Sequence, residues 1–245
     1  MEMFDRFKEH VVSSNDAVEQ AIAGAIPKKN AKQYIKKNFS ALVTKIQLET
    51  YGIYQKSERK AGKKAIKEYL SKAVPPKASR ADAIDAASKQ FDKFNSFFLS
   101  LTNSRRPRAG AAFQVVIRTL FRYLGYPFQE QQVIDGKTDF VLPSKEHFQD
   151  NAMDCIVLAI KRTLRERWRQ ITTEGGGVAF YLATIDEGLS STQLKAMRQN
   201  KIFVVVPKTI KDSHYRKAPN VISFEDFFTD HLDPAVKRWK HRGIV

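Results

Sequence analysis

Two residues of this chain have the types and setting to hydrolyse a phosphodiester. Asp139 sits early in the stretch Thr138 to Leu142, and Lys161 comes directly after the continuous apolar run Cys155 to Ile160. Metal-assisted hydrolysis needs carboxylates to hold a hard cation and a lysine to steady the attacking water or the developing charge. Both stretches are predicted strands. Paired antiparallel, the start of the first lies beside the end of the second, and Pro143 to Asp154 leaves enough chain for that return. At 22 residues apart, the pair alone fits a surface aspartate and a surface lysine better than a catalytic pair.

The residues after Lys161 narrow the choice. Arg165-Glu166-Arg167 sets a carboxylate between two guanidinium groups. Arginine is bidentate to guanine O6 and N7, and glutamate accepts from cytosine N4. Arg165 and Arg169, four apart, also suit a solvated helix face. Five basic residues among the nine from Lys161 to Arg169, directly after a buried strand, favour base reading. Other chemistries lack a setting. The five histidines show no metal-ligand spacing, and Ser190-Ser191 has no nucleophile-elbow context. Gly175-Gly176-Gly177 comes after a predicted helix instead of opening one, and Cys155 belongs to an apolar strand.

The elements that must hold these residues fall into two halves, divided near residues 103–107. Apolar residues before that point recur at helical spacing: Ala17, Ala21, Ile22 and Ala25; Tyr34, Ile35, Leu42, Val43, Ile46 and Tyr51; Phe91, Phe94, Phe97, Phe98 and Leu101. Asp16 with Glu19 suggests a capping box on the first of these helices, and Pro75-Pro76 breaks the pattern. After residue 103, Ala111 to Tyr123 reads as a buried helix ended by Gly125. Val133-Ile134 and Thr138 to Leu142 read as strands around Asp135-Gly136. Cys155 to Ile160, Val178 to Ala183 and Ile202 to Val206 read as buried strands, with helices over Thr163 to Thr173 and Ser191 to Gln199. The expectation is an α/β fold: a central mixed β-sheet flanked by helices (104–245), with a helical N-terminal portion (1–103).

Charge points to the partner. The chain has 245 residues, 42 Lys+Arg against 26 Asp+Glu, and a net charge of +16. Lys28 to Arg80 holds 15 basic and 3 acidic residues, so +12 of that total. A lysine-rich segment of this kind is either a solvated helical face or a surface that tracks nucleic-acid phosphates, where each neutralised phosphate releases counterions. A hydrophobic content of 42% excludes a wholly disordered chain, and one cysteine excludes a disulfide framework. With no membrane-length apolar stretch and no signal-like N-terminus, the chain is expected to be soluble and cytoplasmic.

Four segments together resemble type II restriction endonucleases of the PD-(D/E)xK fold, in the group of the EcoRII C-terminal domain, PspGI and SsoII. They are Arg106-Pro107-Arg108-Ala109-Gly110; Gly136 to Pro143, with Thr138 where proline is common; Lys161 with Arg165 to Ile171; and Thr184 to Ser190 with Ile202 to Pro207. The resemblance covers about Arg105 to Phe228 and implies a restriction-endonuclease-like core. It implies Mg²⁺-dependent double-strand cuts in double-stranded DNA at CC-N-GG or CC-W-GG sites. It assigns Asp139 and Glu174 to the metal, Lys161 to the attacking water, and Arg165, Glu166 and Arg167 to the outer C·G pairs. Gln114 stands where a glutamate often provides a second metal position, and a neutral amide there is a poor ligand for Mg²⁺. A symmetric site implies a homodimer and a cognate DNA methyltransferase in the same system. Some members flip the central base pair, for which Tyr51 and Tyr54 are stacking candidates, with core packing the alternative role for each. Two other readings stay open: a non-catalytic DNA-binding protein whose surface is the +12 segment, and a repair nuclease of the same fold.

Overall fold

Six short strands, most of them runs of β-branched and aromatic residues, build one mixed sheet in the order β1-β2-β3-β4-β5-β6. The computed structural model describes residues 2–134, 137–164 and 179–245, with backbone alone for 131–134 and 137–139. The strands are β1 (Gln129–Ile134), β2 (Lys137–Leu142), β3 (Ile156–Ile160), β4 (Ala179–Ala183), β5 (Ile202–Val206) and β6 (Val221–Ser223). β1, β2 and β3 pair antiparallel. β3 to β6 pair parallel. The antiparallel β2–β3 pair is the one that Asp139 and Lys161 require, and β6 was not among the strands expected from the sequence.

The helices are α1 (Met3–His10), α2 (Ser14–Ala25), α3 (Ala31–Lys37), α4 (Phe39–Ala73), α5 (Arg80–Ser88), α6 (Phe91–Leu124), α7 (Lys145–Asp150), α8 (Ser191–Gln199), α9 (Lys208–His214) and α10 (Phe224–Asp226). A π-helical turn, Phe227–Leu232, leads from α10 into α11 (Asp233–His241). Among the described residues no helix is long and apolar enough to cross a membrane.

The chain divides into two units. The first comprises Met1–Ala23 and Gln47–Ala112, and the second Gly24–Ile46 and Phe113–Val245. Residues 24–46 thus fold with the sheet, and the boundary expected at 103/104 falls inside α6, which runs unbroken through Pro107. Three local expectations can be checked in detail. Ser13 caps α2 in place of Asp16, its Oγ accepting from Asp16 N at 3.1 Å. The pattern from Tyr34 to Tyr51 is two helices, parted at Asn38, whose side chain donates to Tyr34 O at 2.9 Å. Glycine ends α6 as expected: Gly125 has φ +70°, with Gly125 N bonded to Arg122 O and Tyr126 N to Phe121 O, the paired bonds of a Schellman cap.

In the first unit, Met3 and Phe7 of α1 pack on Ala61 and Ala65 of α4 and on Phe97 and Leu101 of α6. Both glutamates in the basic half of α4 are taken up by arginines from elsewhere, Glu58 by Arg105 at 2.6 Å and Glu68 by Arg6 at 2.9 Å. Lys56, Lys60, Lys63 and Lys67 are exposed and share one face, because they recur at i, i+4, i+7 and i+11. None of the four forms an ion pair among the described residues.

In the second unit, one face of the sheet meets α6 and the C-terminal helices through aromatic rings. Phe121 lies 5.9 Å from Phe140, and Tyr181 lies 4.8 Å from Phe227. The other face buries Val157, Ala159, Leu182 and Val204 against Leu194 and Met197 of α8. Asp154, just before β3, fastens α11. Its carboxylate meets Arg238 Nε at 2.7 Å and His147 Nε2 at 3.1 Å, and its carbonyl accepts from the buried Trp239 Nε1 at 3.0 Å. Burial pushes the Asp154 carboxyl up, but the hydrogen bonds from His147 and Arg238 outweigh it and hold the group below its ordinary value. A depressed folded-state value stabilises fully above the unfolded carboxylate pKa, and that stabilisation is lost as pH falls through the folded one. Asp154→Ala is therefore expected to cost about 1–3 kcal/mol at neutral pH. Chemical denaturation across pH should show the gap to the parent chain closing below about pH 4.

Candidate active site

The candidate site lies at the carboxyl end of β3, where β2 begins. Phe140 pairs with Leu158, Val141 with Val157 and Leu142 with Ile156. Carried one step further, that register sets the Asp139 backbone level with Ala159, two residues before Lys161. On its other side, β3 pairs Ile160 with Ala183 of β4. The Lys161 N–H then donates to Ala183 O at 3.0 Å, one step beyond the last strand pair. Lys161 is half-buried, with its backbone tied to a central strand. Ligands of open α/β sheets gather at the carboxyl ends of parallel strands, and Lys161 stands at such an end.

Beyond Lys161 the chain is held by the strand beside it. Thr184, fully buried at the end of β4, donates through Oγ1 to Arg162 O at 3.1 Å. The same oxygen accepts from Asp186 N at 3.1 Å. Asp186 Oδ2 accepts from Leu164 N at 2.8 Å, and Oδ1 accepts from Gly188 N at 3.0 Å. Tyr215 closes the set, donating from its hydroxyl to Asp186 O at 2.7 Å and accepting from Leu189 N at 3.0 Å. Burial raises the pKa of that hydroxyl, so it stays a donor at neutral pH. The Leu164 side chain is buried with Val157, Ala159 and Leu194. Two carbonyl or amide groups of residues 162–164 are thereby fixed by side chains of residues 184–186.

Of the expected site residues, Asp139 and Lys161 come together at the level of backbone register. Arg165, Glu166, Arg167 and Glu174 lie outside the described residues, as does the helix expected over Thr163 to Thr173 beyond Leu164. Gln114 lies half-buried on α6, one turn before Arg118, which grips Glu130 of β1 with two bonds of 2.6 and 2.7 Å. Tyr51 is exposed and its hydroxyl accepts from Gln55 Nε2 at 2.7 Å. Tyr54 is half-buried, and the Arg108 guanidinium covers its ring at 5.0 Å. Among the described residues no three acidic, histidine or cysteine side chains converge on a common point. Sequence reasoning gave Thr184, Asp186 and Tyr215 no role. The signal for one of them was present, since Asp186-Glu187-Gly188 directly after an apolar strand is a turn that an aspartate closes on its own backbone.

Comparison with known proteins bears on this arrangement. Residues 73–228 match the family model described as EcoRII C terminal. The type II restriction enzyme SsoII of Shigella sonnei is 29% identical over 58% of this chain and 51% of its own length. The type II restriction enzyme EcoRII of Escherichia coli is 30% identical over 59% of this chain and 36% of its own length. The matched stretch thus spans about half of one relative and about a third of the other. Among solved structures, metal-depleted Ecl18kI in complex with uncleaved DNA superposes with a TM-score of 0.82 at 24% identity, over 97% of this chain and 83% of that one. A PspGI–substrate DNA complex superposes with a TM-score of 0.68 at 18% identity, over 97% of this chain and 98% of that one. The mixed sheet with flanking helices is the restriction-endonuclease-like fold.

Proposed function

The chain belongs to the EcoRII C-terminal family of type II restriction endonucleases, and we propose that it makes Mg²⁺-dependent double-strand cuts in DNA at a CC-N-GG or CC-W-GG site. The observation that carries this reading is the β2–β3 register, which brings Asp139 within two residues of Lys161 at the carboxyl end of a central strand. In this reading the carboxylates of Asp139 and Glu174, hard oxygen donors suited to Mg²⁺, hold the metal. Mg²⁺ supplies charge stabilisation to the attacking and leaving oxygens. Lys161 orients the water and offsets negative charge on the phosphate. Arg165, Glu166 and Arg167 read the outer C·G pairs, and Gln114 leaves the second metal position weak.

A symmetric site calls for a homodimer, each copy cutting one strand. Such an enzyme works in the cytoplasm beside a methyltransferase of the same specificity, which protects the host's own sites. If the central pair is flipped, the exposed Tyr51 is the better stacking platform, because the Tyr54 ring already carries Arg108. Sequencing the ends of digested plasmid DNA tests the reading. One repeated palindromic sequence at the ends is expected, whereas ends scattered over unrelated sequences point to the repair-type nuclease.

The lysine face of α4 supplies sequence-blind affinity in this scheme. Replacing Lys56, Lys60, Lys63 and Lys67 with glutamine is expected to flatten the dependence of log K on log salt by about 3–4, near 0.9 for each phosphate no longer neutralised. Titrations of one duplex at several salt concentrations read that slope. An unchanged slope would make the face a solvated surface.

A further inference from the structure

The bonds around Thr184 and Asp186 have a geometry that points beyond fold maintenance. They do not tie one element to another at random. They grip Arg162 O and Leu164 N, backbone groups of the short stretch that follows the end of β3 at Ile160. One residue before that stretch is Lys161, and one residue after it is Arg165. Every side-chain polar atom of Thr184, Asp186 and Tyr215 is used. Thr184 Oγ1 donates to Arg162 O and accepts from Asp186 N. Both Asp186 oxygens accept backbone N–H groups, and its carbonyl accepts from Tyr215. A carboxylate that accepts two N–H groups holds their direction more tightly than a neutral acceptor does.

We infer that Asp186 and Thr184 are positioning residues that fix residues 162–164, the backbone between Lys161 and the base-reading run proposed to begin at Arg165, so that hydrolysis is coupled to base reading. The inference rests on the function proposed above. Neither residue touches DNA or the metal in this account. Each acts through the backbone of residues 162–164. Thr184→Val keeps the shape of the side chain and removes both of its hydrogen bonds, while Thr184→Ser keeps the hydroxyl. Asp186→Ala frees Leu164 N and Gly188 N.

The test uses the full chain with Thr184→Val, Thr184→Ser, Asp186→Ala and Lys161→Ala. The probes are duplexes carrying each of the four CC-N-GG sequences and one duplex with none. Binding is measured in EDTA, cleavage by single turnover in Mg²⁺, and folding by thermal melting. Thr184→Val and Asp186→Ala are expected to cut about 100-fold more slowly, the scale of a misplacement near 1 Å. Their preference for site over non-site DNA should fall about 10-fold or more, with binding to the site-free duplex unchanged. Thr184→Ser should stay close to the parent chain. If Asp186→Ala does not fold, the Thr184 pair decides.

The inference is overturned if folded Thr184→Val or Asp186→Ala melts earlier yet cuts and discriminates like the parent chain. A separate result tells against the function itself: Lys161→Ala cutting at the parental rate, or a parent chain that cuts no duplex. In that event the ratio of site to non-site binding still reads whether the frame is set by these two residues.

Discussion

Lys161→Ala is expected to slow cleavage by about 10²–10³-fold or more, the loss seen when one preorganised donor to the reacting group is removed. Binding to the recognition duplex should change little. The reason is where the residue stands. Its backbone N–H is bonded to Ala183 O at 3.0 Å, and that bond survives truncation of the side chain. β3 is buried along its whole length, whereas Lys161 itself is half-buried beyond the strand end. Losing its side chain opens no core cavity, so stability should move by no more than about 1 kcal/mol. Single-turnover cleavage beside a binding titration in EDTA separates the two effects. Loss of binding together with cutting would make Lys161 a DNA-binding residue instead of a catalytic one.

Arg167→Ala is expected to do the reverse, removing specific binding first and cleavage as a consequence. A bidentate arginine–guanine pair accounts for about 1–3 kcal/mol of discrimination. A two-fold dimer loses it in both half-sites, so site preference should fall by roughly 30-fold to 10⁴-fold, at 1.4 kcal/mol per factor of ten. Affinity for site-free DNA should hardly change, since the lysine face of α4 is untouched. Competition between site and site-free duplexes measures the ratio. An equal loss on both duplexes would assign Arg167 to phosphate binding.

How far the fold could be read in advance depended on the range of the interactions behind each element. Buried parallel strands announce themselves as apolar runs, so Cys155 to Ile160 and Ile202 to Val206 were legible nearly to the residue. Gly125 marked the end of α6 because only glycine takes φ +70° freely. Residues 24–46 gave no local sign that they fold with the sheet. Their ties to it are Ser40 N to Glu225 Oε1 at 2.9 Å and Lys36 to Asp233 at 2.6 Å, across 185 and 197 residues of sequence. The C-terminal helices went unassigned for the same reason, since the fully buried Trp239 depends on Asp154. The division expected near residues 103–107 falls inside α6, which continues through it without a break.

The site divides along the same line. The pairing of the stretches that carry Asp139 and Lys161 was legible, because an antiparallel return is the arrangement that brings the two together. The +12 segment was legible as charge, but its ordered lysine face emerges only once Arg105 and Arg6 are seen to take Glu58 and Glu68. The bonds from Thr184 to Arg162 O and from Leu164 N to Asp186 were not legible, because those backbone groups are brought close only by the β3–β4 pairing.

Digestion of plasmid DNA in Mg²⁺, beside the same reaction in EDTA, tests the central claim most directly. Discrete fragments that form in Mg²⁺, are absent in EDTA, and end at one CC-N-GG or CC-W-GG sequence are the result this account predicts. Binding to DNA with no cleavage in Mg²⁺, across plasmids that contain all four CC-N-GG sequences, would contradict it.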